Sequence, residues 1–201
     1  MKNKIRLISL VAICVLLISA CSPVAVTKVS SYTIASMHRV KIHNRSKTRL
    51  TLLVTSPSAN PGYQSSSMIY MKTPYKLSTY SVNRWVAPPA EMLLPLFVQN
   101  LRSKGFYKAV VSPPFSGTAR LRLDTRVLNF QQEFFSSVSR VRVVVQASLY
   151  SNATGRVKAS RRFEAVEPAP SNNPYGGVLA ANKAAGKISR QIASFCVRYS
   201  H

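Results

Sequence analysis

Acidic residues are scarce in this chain of 201: five Asp and Glu stand against 28 Lys and Arg. A glycosidase needs two placed carboxylates, and a hydrolase needs a nucleophile, a base and an orienting acid. Glu91 falls where it would serve a helix terminus, and Asp124, Glu133, Glu164 and Glu167 read as partners of nearby arginines. Histidine is equally rare. His38 and His43 lie in a stretch read below as a tether and His201 is the last residue, so none sits on a rigid element where a base would be useful. No metal-ligand spacing, phosphate loop or dinucleotide fingerprint is present, and "NPYGGV" reads as a turn and helix cap rather than a phosphate cradle. These absences point to a non-enzymatic protein with no cofactor and no metal.

Cysteine is limited to three residues. Cys14 lies in an apolar leader and Cys21 directly follows it, which leaves Cys196 alone and rules out a disulfide within one mature chain. Cys196 belongs to the helical pattern "QIASFCVRY", where a lone thiol reads as a small core residue rather than a nucleophile. Repeats and low-complexity segments are absent.

What is present begins with "MKNKIRLISLVAICVLLISA". Lys2, Lys4 and Arg6 precede an uncharged run from Leu7 to Ile18, followed by the small residues Ser19 and Ala20. This is the order of a secretory signal, and its apolar run falls short of the ~20 residues that span a bilayer. Ile18-Ser19-Ala20-Cys21 resembles the bacterial lipobox, with Ile18 where leucine is commonest. That resemblance implies that Cys21 becomes the N-terminus and the site of lipid attachment, carrying thioether-linked diacylglycerol and an amide-linked acyl chain such as palmitate. Two chains already anchor a protein stably. Ser22 follows Cys21 where an aspartate would retain an enteric lipoprotein in the inner membrane. The expected place is therefore the inner leaflet of the outer membrane, facing the periplasm. The organisation expected is a signal peptide over 1–20, a lipidated tether over 21–50 and one domain over 51–201.

Loss of the leader cations lowers the formal charge from +23 to +20. Such a balance is common in nucleic-acid binders, but the leader directs the chain away from nucleic acid. Lipid headgroups, lipopolysaccharide phosphates and acidic protein faces remain as polyanions outside the cytoplasm. Arg39, Lys41, Arg45, Lys47 and Arg49 of the tether would lie near such phosphates, or be only a solvated linker.

Periodicity outlines the domain. "LTLLVTSPS" predicts a strand, and "SSMIYMK" (66–72) with "YKLSTYS" (75–81) predicts a hairpin about Thr73-Pro74. "PPAEMLLPLFVQNLRSKG" predicts a helix with Leu93, Phe97 and Leu101 on one face; Pro95 implies either a late start or a kink. "FYKAVVS" reads as a strand. "TARLRLDTRVLNFQQEF" alternates Arg120, Arg122, Asp124 and Arg126 with Leu121, Leu123 and Val127, the signature of a half-buried strand. Ser139–Tyr150 and a strand from Arg156 predict an antiparallel hairpin turned at 151–155. The last helix carries Val178, Ala181, Ala185, Ile188, Ile192, Phe195 and Tyr199 at steps of three and four. The order predicts an α+β single domain, a mostly antiparallel sheet with two helices packed on one face. Arg120, Arg122 and Arg126 beside Arg140 and Arg142 would form a basic face, either a contact for a lipid or partner or simply solvated.

"SSSMIYMKTPYKLSTYSVNRWVAPPAEMLLPLF", "LRLDTRVLNFQQEF" and "RRFEAVEPAPSNNPYGGVLAANKAA", together with the lipobox, resemble the ABC-type transport auxiliary lipoproteins, the PqiC-like group. The resemblance runs from about Leu50 to Val197 and is carried by structural residues, with no catalytic residue among them. It implies an auxiliary or docking component of an ABC transporter, working with an MCE-domain protein in lipid transport across the envelope. It also implies that the chain could form a homo-oligomeric ring. Trp85 could then anchor a protein contact, or fill the seam between sheet and helix. The alternative function is a lipopolysaccharide- or peptidoglycan-binding lipoprotein that uses the basic face.

Overall fold

The structure, a computed structural model, describes residues 28–35 and 47–201. The leader, Cys21, and Arg39, Lys41 and Arg45 of the tether lie outside the described residues. In chain order the described elements are β1 (Ser30–Tyr32), β2 (Thr51–Val54), β3 (Ser58–Ala59), β4 (Ser67–Met71), β5 (Ser78–Trp85) and α1 (Pro89–Ser103). They continue with β6 (Ala109–Val111), β7 (Leu121–Glu133), β8 (Arg140–Ser151), β9 (Val157–Pro168) and α2 (Pro174–Arg198).

β7 organises the sheet. Along one edge it pairs antiparallel with β8, from Leu121↔Ser151 to Glu133↔Arg140, and β8 pairs in turn with β9. Along its other edge it receives three short parallel strands in succession: β2 at Leu121, β3 at Arg126 and β4 at Gln132. β4 and β5 form the expected hairpin, while β6 lies parallel to β2 and β1 parallel to β5. The long ladders are antiparallel as expected. The short parallel pairings are a finding of the structure, since element order says nothing of which edge each strand joins.

The alternation in β7 holds for its first half. Leu121, Leu123 and Val127 are buried under the helices, while Arg122, Asp124 and Arg126 face the other way. A bulge between Val127 and Asn129 then shifts the register by one residue, which exchanges the two faces. Beyond it Phe130 and Gln132 turn toward the helices, whereas Gln131 and Glu133 turn away from them.

Both helices cover one face, α1 over β2, β6 and β7 and α2 over β8 and β9. Leu93, Phe97 and Leu101 of α1 are fully buried, as their spacing predicts. The helix starts at Pro89 and runs on through Pro95, whose ring lies on the exposed side, so the amide it lacks leaves a carbonyl next to solvent rather than in the core. In α2, Ala181, Ala184 and Ala185 let the helix approach the sheet closely, with Ile188 and Ile192 below. Tyr199, expected at the end of this stripe, is exposed because the helix stops at Arg198. Asn100 Nδ2 donates to Ser189 Oγ at 2.9 Å, and Ser189 Oγ to the Leu96 carbonyl at 2.8 Å, joining the helices.

Folded residues begin ahead of position 51. β1 extends the sheet beyond β5; Ala35 N donates to Asn182 Oδ1 at 3.0 Å, and the amides of Lys47 and Thr48 donate to the carbonyls of Gly105 and Phe106.

Candidate interaction surfaces

Trp85 ends β5 inside the protein, 4% exposed, its ring edge-on to Phe130 at 5.6 Å. It fills the seam between sheet and helix, the second of the two places the sequence allowed.

The five arginines of the expected basic face share the helix-free side of the sheet but form two groups. Arg122 pairs across the ladder with Tyr150 and Arg142 with Gln131, nine residues further along β7 and so about 30 Å away. At the first end, Arg122 Nε meets the Asp124 carboxylate at 3.1 Å and its guanidinium lies over the Tyr150 ring, 4.6 Å from the centroid. Thr55 Oγ1 also donates to Asp124, at 2.9 Å. Arg126 Nε donates to Ser58 Oγ at 3.3 Å and Arg120 is exposed. Arg122 and Arg126 line a shallow groove with Thr55, Ser58, Gln146 and Ser148.

At the other end Arg142 is bound by two acids. Its Nε and Nη2 donate to Glu133 at 2.8 and 3.1 Å, and Nη1 donates to Glu164. The Glu133 hydrogen bonds chiefly, despite partial burial, raise the Arg142 pKa above the usual guanidinium value. Gln131 Nε2 donates to Glu133 at 2.8 Å, and Tyr63 donates to Gln131 Oε1. Arg140 is exposed at the start of β8. Of the five, Arg122 and Arg142 are thus neutralised within the fold, and Arg120, Arg126 and Arg140 keep their charge for the surface.

A second cationic surface was not read from the sequence. Arg161 and Arg162 on β9 and Lys187, Arg190 and Arg198 on α2 line one groove, floored by Phe163, Phe195 and Tyr199. The signal lay in two places: an Arg-Arg pair within a strand, and cations at steps of three and eight along a helix. Neither piece has meaning until the hairpin brings β9 under α2.

Cys196 is fully buried, and burial raises its thiol pKa to about 12, so no thiolate is available near neutrality. The His201 ring packs edge-on against Phe106 at 5.6 Å. Among the described residues no three His, Cys, Asp or Glu are grouped to hold a metal. The Gly-Gly pair serves packing at a capped helix start: Asn173 Oδ1 accepts from Gly176 N at 2.8 Å, and Gly177 leaves room for Gln132. An interior cavity lined by Met68, Trp85, Phe130 and Ala181 has a volume of about 10 Å³. That is room for one water and far too little for an acyl chain. Among the described residues no helix is long and apolar enough to cross a membrane.

A hydrophobic core between sheet and helices, with cationic surfaces outside it, defines a domain of the α+β class. The chain belongs to the family of the ABC-type transport auxiliary lipoprotein component, whose sequence profile matches residues 32–193. Its fold is similar to that of a protein from Xanthomonas campestris, with a TM-score of 0.75 at 22% identity over 85% of this chain and 96% of that one. A hypothetical protein from Chlamydia trachomatis superposes with a TM-score of 0.54 at 7% identity over 76% of this chain and 98% of that one. No curated protein matches the chain.

Proposed function

We propose that this chain is an envelope lipoprotein, fixed through Cys21 to the inner leaflet of the outer membrane. There it serves as a non-enzymatic docking component for an ABC transporter and an MCE-domain protein in lipid transport. The observation that carries the reading is the family match, which spans nearly the whole folded domain and concerns an auxiliary component of a transporter. Two features of the domain favour docking over carriage or chemistry. The interior cavity of about 10 Å³ cannot enclose an acyl chain, and the lone thiol is buried and held protonated. The strong excess of basic residues suits steering toward anionic surfaces at the membrane.

The alternative, direct binding of lipopolysaccharide or peptidoglycan through Arg120, Arg122, Arg126, Arg140 and Arg142, is less favoured. Two of those cations are occupied by Asp124, Glu133 and Glu164, and those two, Arg122 and Arg142, stand about 30 Å apart.

The test is affinity purification of the full chain from native membranes. The docking role expects transporter subunits and an MCE-domain protein to co-purify at high salt, with loss of membrane attachment in Cys21→Ser. Lipopolysaccharide recovered alone, in amounts falling steeply with salt and with Arg120 and Arg140 neutralised, would favour the alternative. An unmodified N-terminus by mass spectrometry would remove the anchor.

A further inference from the structure

We propose that the free edge of β9, beneath the basic stripe of α2, takes an extended acidic segment of a partner protein as one further strand of the sheet. Among the described residues β9 pairs with β8 alone, so twelve residues of strand leave alternate amides and carbonyls facing outward. An edge of this length is a template for strand addition, in which main-chain hydrogen bonds supply affinity and alternate side chains supply specificity.

The surroundings state which side chains fit. A strand laid beside β9 would turn every second residue toward α2. There it would face Lys187, Arg190, Ser194 and Arg198, which line the groove, with Arg161 stacked over Phe163 at 5.3 Å and the half-exposed Tyr199 ring as its apolar floor. Arg190 and Arg198 are eight residues apart on the helix, about 12 Å. Residues four apart on a strand are separated by about 13 Å on one face, so two acids at that spacing meet both arginines.

The acids of β9 beside the groove are engaged. Glu167 holds Lys187, and Glu164 holds Arg142 with Arg162 nearby, whereas Arg190 and Arg198 carry no ion pair among the described residues. A second copy of this chain is a poor occupant, because Asp124 and Glu133 are also bound, and Glu91, its one acid outside an ion pair among the described residues, lies in the first turn of α1 rather than in an extended segment. An anionic bilayer offers charge but no backbone to pair with the edge. The occupant that satisfies both demands is an acidic protein segment in extended form.

The proposal rests on the docking role above, but the two fail separately, since co-purification of transporter subunits does not depend on this edge. The probe is a labelled twelve-residue peptide alternating Glu with Val and Thr, titrated onto the detergent-solubilised full chain. Fluorescence anisotropy reads binding, and hydrogen exchange reads the amides of 157–168. The expected result is saturable binding with slowed exchange in β9. Arg190→Glu with Arg198→Glu should weaken it by about tenfold or more, and the two Lys variants should retain it. N-methylation of alternate peptide amides should abolish it. Absence of binding, equal binding of the N-methylated peptide, or unchanged exchange in β9 would overturn the proposal. So would phosphatidylglycerol vesicles binding with the same sensitivity to the double Glu variant while the peptide does not bind.

Discussion

Arg142 holds Glu133 with two hydrogen bonds, at 2.8 and 3.1 Å, where the carboxylate is only 7% exposed on the helix-free side of the sheet. A buried carboxylate deprived of its cation keeps its desolvation penalty without compensation. Arg142→Met is therefore expected to destabilise the domain by about 2 kcal/mol, below the value for a fully buried pair because the guanidinium is partly solvated. Chemical denaturation at pH 7 measures this. Arg126→Met, which loses one 3.3 Å bond to Ser58 at an exposed position, should change stability by under about 0.5 kcal/mol.

Gly177 and Gly186 stand nine residues apart on α2 and should respond oppositely to alanine. A Cβ at Gly177 would come within 2.3 Å of Gln132 Oε1, and Gln132 is itself held by Tyr80 and Ser139 at 3.0 and 2.9 Å. At Gly186 the nearest atom is Arg190 Nη1 at 3.3 Å, the end of a flexible side chain. Gly177→Ala is expected to lose about 2 kcal/mol through overpacking, and Gly186→Ala to gain up to about 1 kcal/mol of helix propensity. Thermal melting of the two variants decides it.

How far the sequence could be read follows from which features are local. Both helices, the 4–5 and 8–9 hairpins and the two-residue alternation at the start of β7 follow from spacing within a dozen residues, and the structure contains them. The family resemblance reached the fold by the same local patterns. The bulge at Leu128 has no side-chain signature, yet it decides that Gln131 and Glu133 lie with the arginines and Gln132 with α2. The division of the arginine face into two groups also needs the β7–β8 register, as Arg122 and Arg142 are brought to opposite ends only by antiparallel pairing. The groove between β9 and α2 joins segments some thirty residues apart in the chain. Cys21, the site on which membrane attachment turns, lies outside the described residues and rests on its motif.

Thr125 sits on the core side of β7, 5% exposed, and its hydroxyl has no hydrogen-bond partner among the described residues. Its neighbours along that face are Leu123 and Val127, and Ala147 lies opposite on β8. Valine has nearly the same shape without the unsatisfied oxygen. Thr125→Val is thus expected to stabilise the domain by about 1 kcal/mol, read as an increased denaturation midpoint with an unchanged slope. A loss of stability would mean that the hydroxyl has a partner such as an ordered water.

Alkaline pH should unfold the domain through groups that the core keeps protonated. Burial raises the Cys196 thiol pKa from 9.0 to about 12, and raises the Tyr80 phenol pKa from 10.0 to about 12, with Tyr70 a smaller influence. Burial, then the nearby Cys196, raises the Tyr107 phenol pKa further, against a lowering by its hydrogen bond to Ser200. In each case the unfolded chain releases its proton at lower pH than the folded one, so the contribution to stability is complete below about pH 9 and is lost as pH rises toward 12. Each group contributes a slope of at most about 1.4 kcal/mol per pH unit within that window. Urea midpoints measured from pH 8 to 11 should therefore fall steadily. Cys196→Ala should be weaker at pH 8, from the small cavity it leaves, but should decline less steeply from pH 9 upward. Parallel declines in the two proteins would show that the thiol opens to solvent before the domain unfolds.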